Sequence, residues 1–253
     1  MSGDNLKIIT WNVNGIRARQ DQVRELIEAE QPDVVCLQEI KASPEKVPAL
    51  LVSADEYWAC WHGSGGYSGV ALLVRRDWFA DQPVFRHPAF DMEHRVVVAD
   101  LGGLTVASVY VPNGGKDYEA KLTFLDGMAD WIAETKASTG ALLICGDLNV
   151  AREERDVHPK ERKANQIGTR VEERSRFAGL IEQGLVDVGR ELDPANDELF
   201  TWWPHWRNLR QRNIGWRIDY VLARGPLAGT ATSAASRREF GTSDHAPVVV
   251  TFT

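Results

Sequence analysis

The chain has 253 residues, 43% of them hydrophobic and 26% charged, a globular balance that excludes disordered, collagen-like and coiled-coil classes. No apolar run approaches the roughly 20 residues of a membrane span, and the opening MSGDNLKIITW lacks the pattern of a secretion signal. The net charge of −7 argues mildly against a polyanionic partner, since lysine and arginine drive phosphate binding.

LKIITW (6–11) reads as a strand. Val23, Leu26 and Ile27 then recur at helical spacing between residues 16 and 30, and Pro32 stops that helix. PDVVCLQE (32–39) is apolar for four residues, 34–37, without alternation, the mark of a strand buried on both faces. SGVALLV (68–74), RVVVADL (95–101) and TVASVYV (105–111) are β-rich and separated by turn signals. Leu122, Leu125, Ala129 and Ile132 mark a helix over about 118–137, ended by Gly140. ALLICGD (141–147) is a buried strand, and a helix over about 172–183 turns Phe177, Leu180 and Ile181 inward. Further strands are expected at 199–203, 216–223 and 247–252. Residues 150–171 form a long, charged, irregular stretch of the kind that is usually functional or mobile.

Cys36, Cys60 and Cys145 are too few for a disulfide framework and lack metal spacing; Cys36 and Cys145 read as small buried hydrophobes, and the set fits a reducing cytosol. There is no repeat and no linker. Residues 1–253 are therefore expected to form one domain, an α/β four-layer sandwich of two mixed β-sheets packed face to face with helices outside.

Five polar clusters stand where apolar strands stop: Asn12 and Asn14, Glu39, Asp147 and Asn149, Asp219, and Asp244 with His245. Each has a plain structural reading. Asn14-Gly15 suits a helix cap and turn, Glu39 suits a surface pair with Lys41, and Gly146-Asp147 is ordinary turn chemistry. Together they form a set of hard oxygen donors suited to Mg²⁺ or Mn²⁺, with an imidazole able to face a phosphate and no Cys/His set for zinc. That inventory fits metal-assisted phosphodiester hydrolysis. P-loop and nucleophile-elbow signatures are absent.

TWNVNGIRA, PDVVCLQEIK, GYSGVALL, SVYVPNG, GDLNVA, FTWW, NIGWRIDYVL and TSDHAPV, in this order, resemble the successive motifs of the exonuclease III family of apurinic/apyrimidinic (AP) endonucleases. GDLN and SDH alone occur across the wider superfamily; VYVPNG with TWW and NIGWRIDY is the specific signal. The resemblance implies the same four-layer fold and carries roles to matching positions. Glu39 would be the main metal ligand with Asn12 beside it. Asp147 would activate the attacking water and Asn149 hold water or the scissile phosphate. His245 would contact the phosphate, Asp219 orient that histidine, and Tyr110 bond near the leaving group. Asp244 would stand near a second ion, and Asp147, Asn149 and His245 would touch metal in a one- or two-ion arrangement.

The segment 201–218 holds Arg207, Arg210, Arg212 and Arg217, no acid, and four of the nine tryptophans. Tryptophans this dense suit a hydrophobic core as well as a pocket wall, and the arginines suit a solvated loop as well as phosphate contacts. By resemblance, Trp216, Trp202 and Trp203, with Ile218, wall a pocket for an extruded abasic sugar. The arginines would then meet phosphates, and Asn113 and Lys116 would contact DNA. The expected partner is duplex DNA with abasic sites or blocked 3′ ends, bound by a monomer of the bacterial cytosol. A phosphoesterase for RNA or a small ester, and a DNA-binding module without turnover, are the competing readings.

Overall fold

The structure, a computed structural model, describes residues 5–52, 55–135 and 140–253; the first four residues and the last two of the helix expected at 118–137 lie outside them. In chain order the elements are β1 (Leu6–Asn12), α1 (Ile16–Glu30), β2 (Val34–Gln38), α2 (Ala49–Val52), β3 (Tyr57–His62), β4 (Val70–Arg75), β5 (Val84–Arg86), β6 (Val96–Leu101) and β7 (Leu104–Tyr110). They continue with α3 (Tyr118–Thr135), β8 (Ala141–Asp147), α4 (Val171–Glu182), β9 (Val186–Asp187), α5 (Val188–Leu192), β10 (Asp219–Arg224), β11 (Ala231–Ser236) and β12 (Val248–Phe252).

The strands form two six-stranded sheets, ordered β11-β12-β1-β2-β4-β3 and β5-β6-β7-β8-β10-β9. Each contains one parallel pair joined by a crossover helix: β1 and β2 through α1, β7 and β8 through α3. The other pairings are antiparallel, so both sheets are mixed. Alternation along each strand sends one set of side chains between the sheets and the other toward the helices. Ile8, Val34, Cys36, Leu72, Val106, Leu143, Cys145 and Val250 meet between the sheets. Ile9, Val35 and Leu73 pack under Ile16, Val23 and Leu26 of α1, while Val98, Ala107 and Ile144 pack under Phe124, Leu125 and Phe177 of α3 and α4. The result is four layers, as the patterns predict. Cys36 and Cys145 are fully buried and all three cysteines are free thiols.

The structure departs from expectation at 199–203. No strand forms there; Trp202 makes only isolated bridges to Trp216 and His245, and β10 begins at Asp219 rather than 216. The stretch 150–171 is irregular but pinned, with Ala151 N–H donating to the Gly168 carbonyl at 2.8 Å. No helix among the described residues is long and apolar enough to cross a membrane.

Strand direction collects the polar ends. The C-terminal ends of β1, β2, β7 and β8 and the N-terminal ends of β10 and β12 share one edge of the sandwich, because Asn12 pairs with Gln38, Tyr110 with Asp147, and Asp147 with Asp219. Gly146 permits this close approach: a Cβ there would stand 1.8 Å from the Val109 carbonyl oxygen.

Candidate active site

Asn12 occupies the seam between the sheets. Its Nδ2 donates to Glu39 Oε1 and to Asp147 Oδ2, both at 2.9 Å. Its side-chain Oδ1 accepts the Asn14 N–H at 3.0 Å. Asn12 is therefore turned as a donor that holds the two carboxylates together. Glu39 also accepts from Tyr110 Oη at 2.8 Å and pairs with Lys41 Nζ at 2.8 Å. Glu39 and Asn149 hold left-handed backbone, with φ of 50° each. Strain of that kind persists where surrounding structure fixes a functional side chain.

Asp147 is 1% exposed. Its Oδ1 accepts the Asn149 N–H at 2.9 Å, and Asn149 Nδ2 reaches Oδ2 at 3.2 Å. Burial, with Asp219 and Glu39 nearby, nevertheless pushes its carboxyl up to about 7, with His245 and Asn12 opposing. His245 Nδ1 sits 2.9 Å from Asp219 Oδ2, and Thr201 Oγ1 donates to the same oxygen at 2.6 Å. Burial alone would lower the imidazole; Asp219 and Asp147 overcome it and raise it to about 10, so His245 is an imidazolium. Its Nε2 lies 3.8 Å from Asp147 Oδ2.

Asp244 faces the opening. It accepts from Asn14 Nδ2 and from Trp202 Nε1, both at 2.9 Å. Asn14 is thus part of this network and not a side-chain cap of α1, whose N-cap is Gly15. Glu39, Tyr110, Asp147, Asp244 and His245 line a cavity of about 370 Å³, closed by the loop at Gln166–Gly168 and by Trp202, Trp216 and Ile218, with Asn113 and Asn149 at its side. Trp202 and Trp216 stand edge to face, 6.0 Å apart at 89°, and form the apolar wall. Gly168, at φ +89°, lies so near that a Cβ would come within 3.0 Å of the Trp216 ring.

The structure separates the tryptophan-arginine segment into two kinds of residue. Arg207 and Arg212 are exposed, as are Asn113 and Lys116, and Trp206 is 60% exposed. Three others are not free for DNA. Arg217 is buried between Asp156 and Asp187, with bonds of 2.8 Å to each. Arg210 spends its guanidinium on the carbonyls of Arg238, Phe240 and Ser243 at 2.5–2.7 Å. Trp203 is 1% exposed and packs with Phe200 and Ala246, so it is core and not pocket wall.

Gln166, Ile167 and Gly168 were not singled out as site residues from sequence. Gly168 is held by a buried pair, Lys121 with Glu173: Glu173 Oε2 accepts the Gly168 N–H at 2.8 Å, and Lys121 Nζ donates to the Asn149 carbonyl at 2.7 Å. The EER run at 172–174 is the one sequence signal of this brace. Arg95, buried under the Tyr110 ring at 4.6 Å, gave no signal at all.

Among the described residues, Glu39, Asp147 and His245 place ligand atoms within 4.8 Å of one another. The donors are hard carboxylates in a site where burial disfavours their charge, and a divalent cation answers that imbalance. The profile of the endonuclease/exonuclease/phosphatase family matches residues 9–245. The chain belongs to that family. It is 35% identical over 259 residues to the DNA repair nuclease APEX1 of Danio rerio, covering 97% of this chain and 82% of that one. It is 31% identical over 250 residues to the exodeoxyribonuclease of Bacillus subtilis (strain 168), covering 96% and 98%. Among solved structures, an AP endonuclease from Archaeoglobus fulgidus aligns with a TM-score of 0.88 at 30% identity, covering 98% of this chain and 99% of that chain. The 3′ phosphatase NExo from Neisseria, bound to a product DNA hairpin, aligns with a TM-score of 0.89 at 30% identity over the same shares. The likeness is to the exonuclease III-like AP endonucleases, as the motifs suggest.

Proposed function

We propose that this chain is a DNA repair nuclease that hydrolyses the phosphodiester 5′ to abasic sites in duplex DNA, with 3′→5′ exonuclease and 3′-end-cleaning activity. The observation that carries the reading is one cavity with Asp147 and His245 on one side, His245 held from behind by Asp219, and the Trp202–Trp216 wall on the other. Glu39 and Asp147 would hold a divalent ion, Mg²⁺ with Mn²⁺ as a substitute, and the bound ion supplies Lewis-acid neutralisation of the phosphate. Asp147, buried and fixed by Asn12 and Asn149, is placed to accept the proton of an attacking water. The His245 imidazolium, held by Asp219, donates to a phosphate oxygen as negative charge grows there. Tyr110, Asn12 and Lys41 fix Glu39, while Asn149 fixes Asp147.

An abasic sugar is cheap to extrude because no base stacking is lost, and an apolar aromatic wall suits its exposed face. A duplex with one abasic-site analogue, labelled at the 5′ end of the damaged strand, tests the reading. A single cut just 5′ of the lesion, abolished by EDTA, is expected; no cleavage with Mg²⁺ or Mn²⁺ would reject it. Trp216→Ala is expected to lower kcat/KM on that duplex by about 10- to 100-fold, the worth of one aromatic stacking partner. Gly168→Val should act through the same wall, because the new side chain strains the backbone and displaces the Trp216 ring. A loss of at least about tenfold in kcat/KM is expected, with the melting temperature checked alongside.

Arg207, Arg212, Asn113 and Lys116 are proposed to meet the DNA backbone. Arg207→Ala with Arg212→Ala should lower the slope of log affinity against log salt by about 2, roughly one per lost phosphate contact. An unchanged slope would place DNA elsewhere on the surface.

A further inference from the structure

On the flank of the same edge lies a second cluster that the nuclease reading does not use. His62 ends β3 at the border of the first sheet, and His87 follows β5 at the border of the second. Asp91 lies in the loop from β5 to β6. Their ligand atoms all fall within 4.8 Å of one another. His62 Nε2 is 2.6 Å from Asp91 Oδ2, and the rings of His62 and His87 stack at 3.7 Å. His94 meets His62 edge-on at 4.6 Å, so three of the six histidines stand together.

Each donor is already oriented by a neighbour. His87 Nδ1 lies 2.9 Å from the Val96 carbonyl, the contact of an N–H donor, which leaves Nε2 as the lone-pair nitrogen. Asp91 Oδ1 accepts the N–H groups of Arg95 and Val96 at 2.7 and 2.9 Å, which leaves Oδ2 for His62 or an ion. The His62 and Asp91 side chains are 18% and 11% exposed, and His87 is exposed, so an ion has a path from solvent to half-buried donors.

We propose that His62, His87 and Asp91 form a second metal site, for a transition ion of the Zn²⁺ class, separate from the catalytic carboxylates. Two imidazoles and a carboxylate suit Zn²⁺, whereas Mg²⁺ prefers oxygen throughout. Zn–N bonds of about 2.0–2.1 Å at tetrahedral angles need donors about 3.4 Å apart. Without an ion, His62 Nε2 and Asp91 Oδ2 are bonded to each other at 2.6 Å; an ion would replace that bond, spread the pair to the ligand spacing and draw in the exposed His87, with a water in the fourth position. The absence of a Cys/His zinc pattern in the sequence stands for short motifs only, because these donors come from two sheets and meet only in the fold. An ion here ties the two sheet borders together. It also holds the loop carrying Arg95, whose guanidinium lies over Tyr110.

The test is calorimetric titration of the full chain with Zn²⁺ in millimolar Mg²⁺, on wild type, Glu39→Gln, His87→Ala and His62→Ala. Glu39→Gln disables the catalytic carboxylate site as a competitor. One equivalent of Zn²⁺ is expected to bind wild type and Glu39→Gln alike, with affinity at least tenfold weaker in His87→Ala. His87 is exposed, so its variant tests the site even if His62→Ala fails to fold. Zn²⁺ should also raise the melting temperature of Glu39→Gln but not of the double variant Glu39→Gln with His87→Ala. Absence of binding, binding indifferent to His87→Ala, or binding lost in Glu39→Gln alone would each overturn the proposal.

Discussion

Asp147→Asn is expected to lower turnover on abasic duplex DNA by about 10³-fold or more, the loss that accompanies removal of a positioned general base. The same change should stabilise the metal-free fold. The folded carboxyl is held near 7 by burial, Asp219 and Glu39, against an ordinary 3.8. The folded protein therefore binds that proton more tightly than the unfolded chain does. The stability cost of the charge is absent below about pH 4, grows as pH rises, and is complete above about pH 7. With EDTA at about pH 8, Asp147→Asn should melt at least about 3 °C higher than wild type, and the gain should vanish near pH 4. Calorimetric scans at the two pH values check this. An equal or lower melting temperature at the higher pH would show that the ionised carboxylate is welcome in the fold.

Arg217→Met is expected to have the largest effect on stability of any arginine change. Arg217 bonds both Asp156 and Asp187, with Arg190 and Arg152 behind them at 2.8 and 3.3 Å. Methionine keeps the apolar stem and leaves two buried carboxylates short of a partner. Breaking a buried pair in this way costs about 3–5 kcal/mol, or a fall of about 10 °C in a chain of this size. The sign with pH is opposite to that at Asp147. Burial raises the Asp187 carboxyl, but Arg217 and Arg152 outweigh it and hold it below its ordinary 3.8. The stabilisation is thus present above that value and is lost as pH falls through the folded one, so wild type and Arg217→Met should converge in acid. DNA affinity should keep its full salt slope in Arg217→Met, unlike the Arg207 and Arg212 changes. A weaker slope would return Arg217 to the DNA face.

Arg217 shows where sequence reading stops. Charge is visible in NIGWRIDY, but the partners of Arg217 lie 61 and 30 residues away and meet it only after folding. The strands show the same boundary. All four that the patterns missed, β3, β5, β9 and β11, are the outer strands of their sheets. Outer strands are covered on fewer sides, so their sequences carry less hydrophobic signal: ATSAAS of β11 is half-buried or exposed throughout. The inner strands, such as VVCLQ and ALLICGD, are buried almost end to end and are legible from composition alone. The strand expected at 199–203 fails for the converse reason. Its aromatic residues have β propensity, but Trp202 bridges two different partners and Pro204 follows at once. At the site, the polar residues at strand ends were legible, and their assembly at one edge follows from strand direction. The Lys121–Glu173 brace was not, because a lysine and a glutamate in helices read as solvent-facing.

Asn12 grips Glu39 at the end of one sheet and Asp147 at the end of the other, and beneath it Gln38 reaches from the first sheet to Ser108 of the second at 3.2 Å. The gap between these two carboxylates is therefore the gap between two sheets. It is set by the side chains that fill the interior, among them Cys36 and Cys145. Interiors this tightly packed pass on changes of a single methylene. Turnover in this enzyme thus works as a gauge of its own core, and a larger or smaller residue far below the cavity should change the rate while every polar group at the edge is intact.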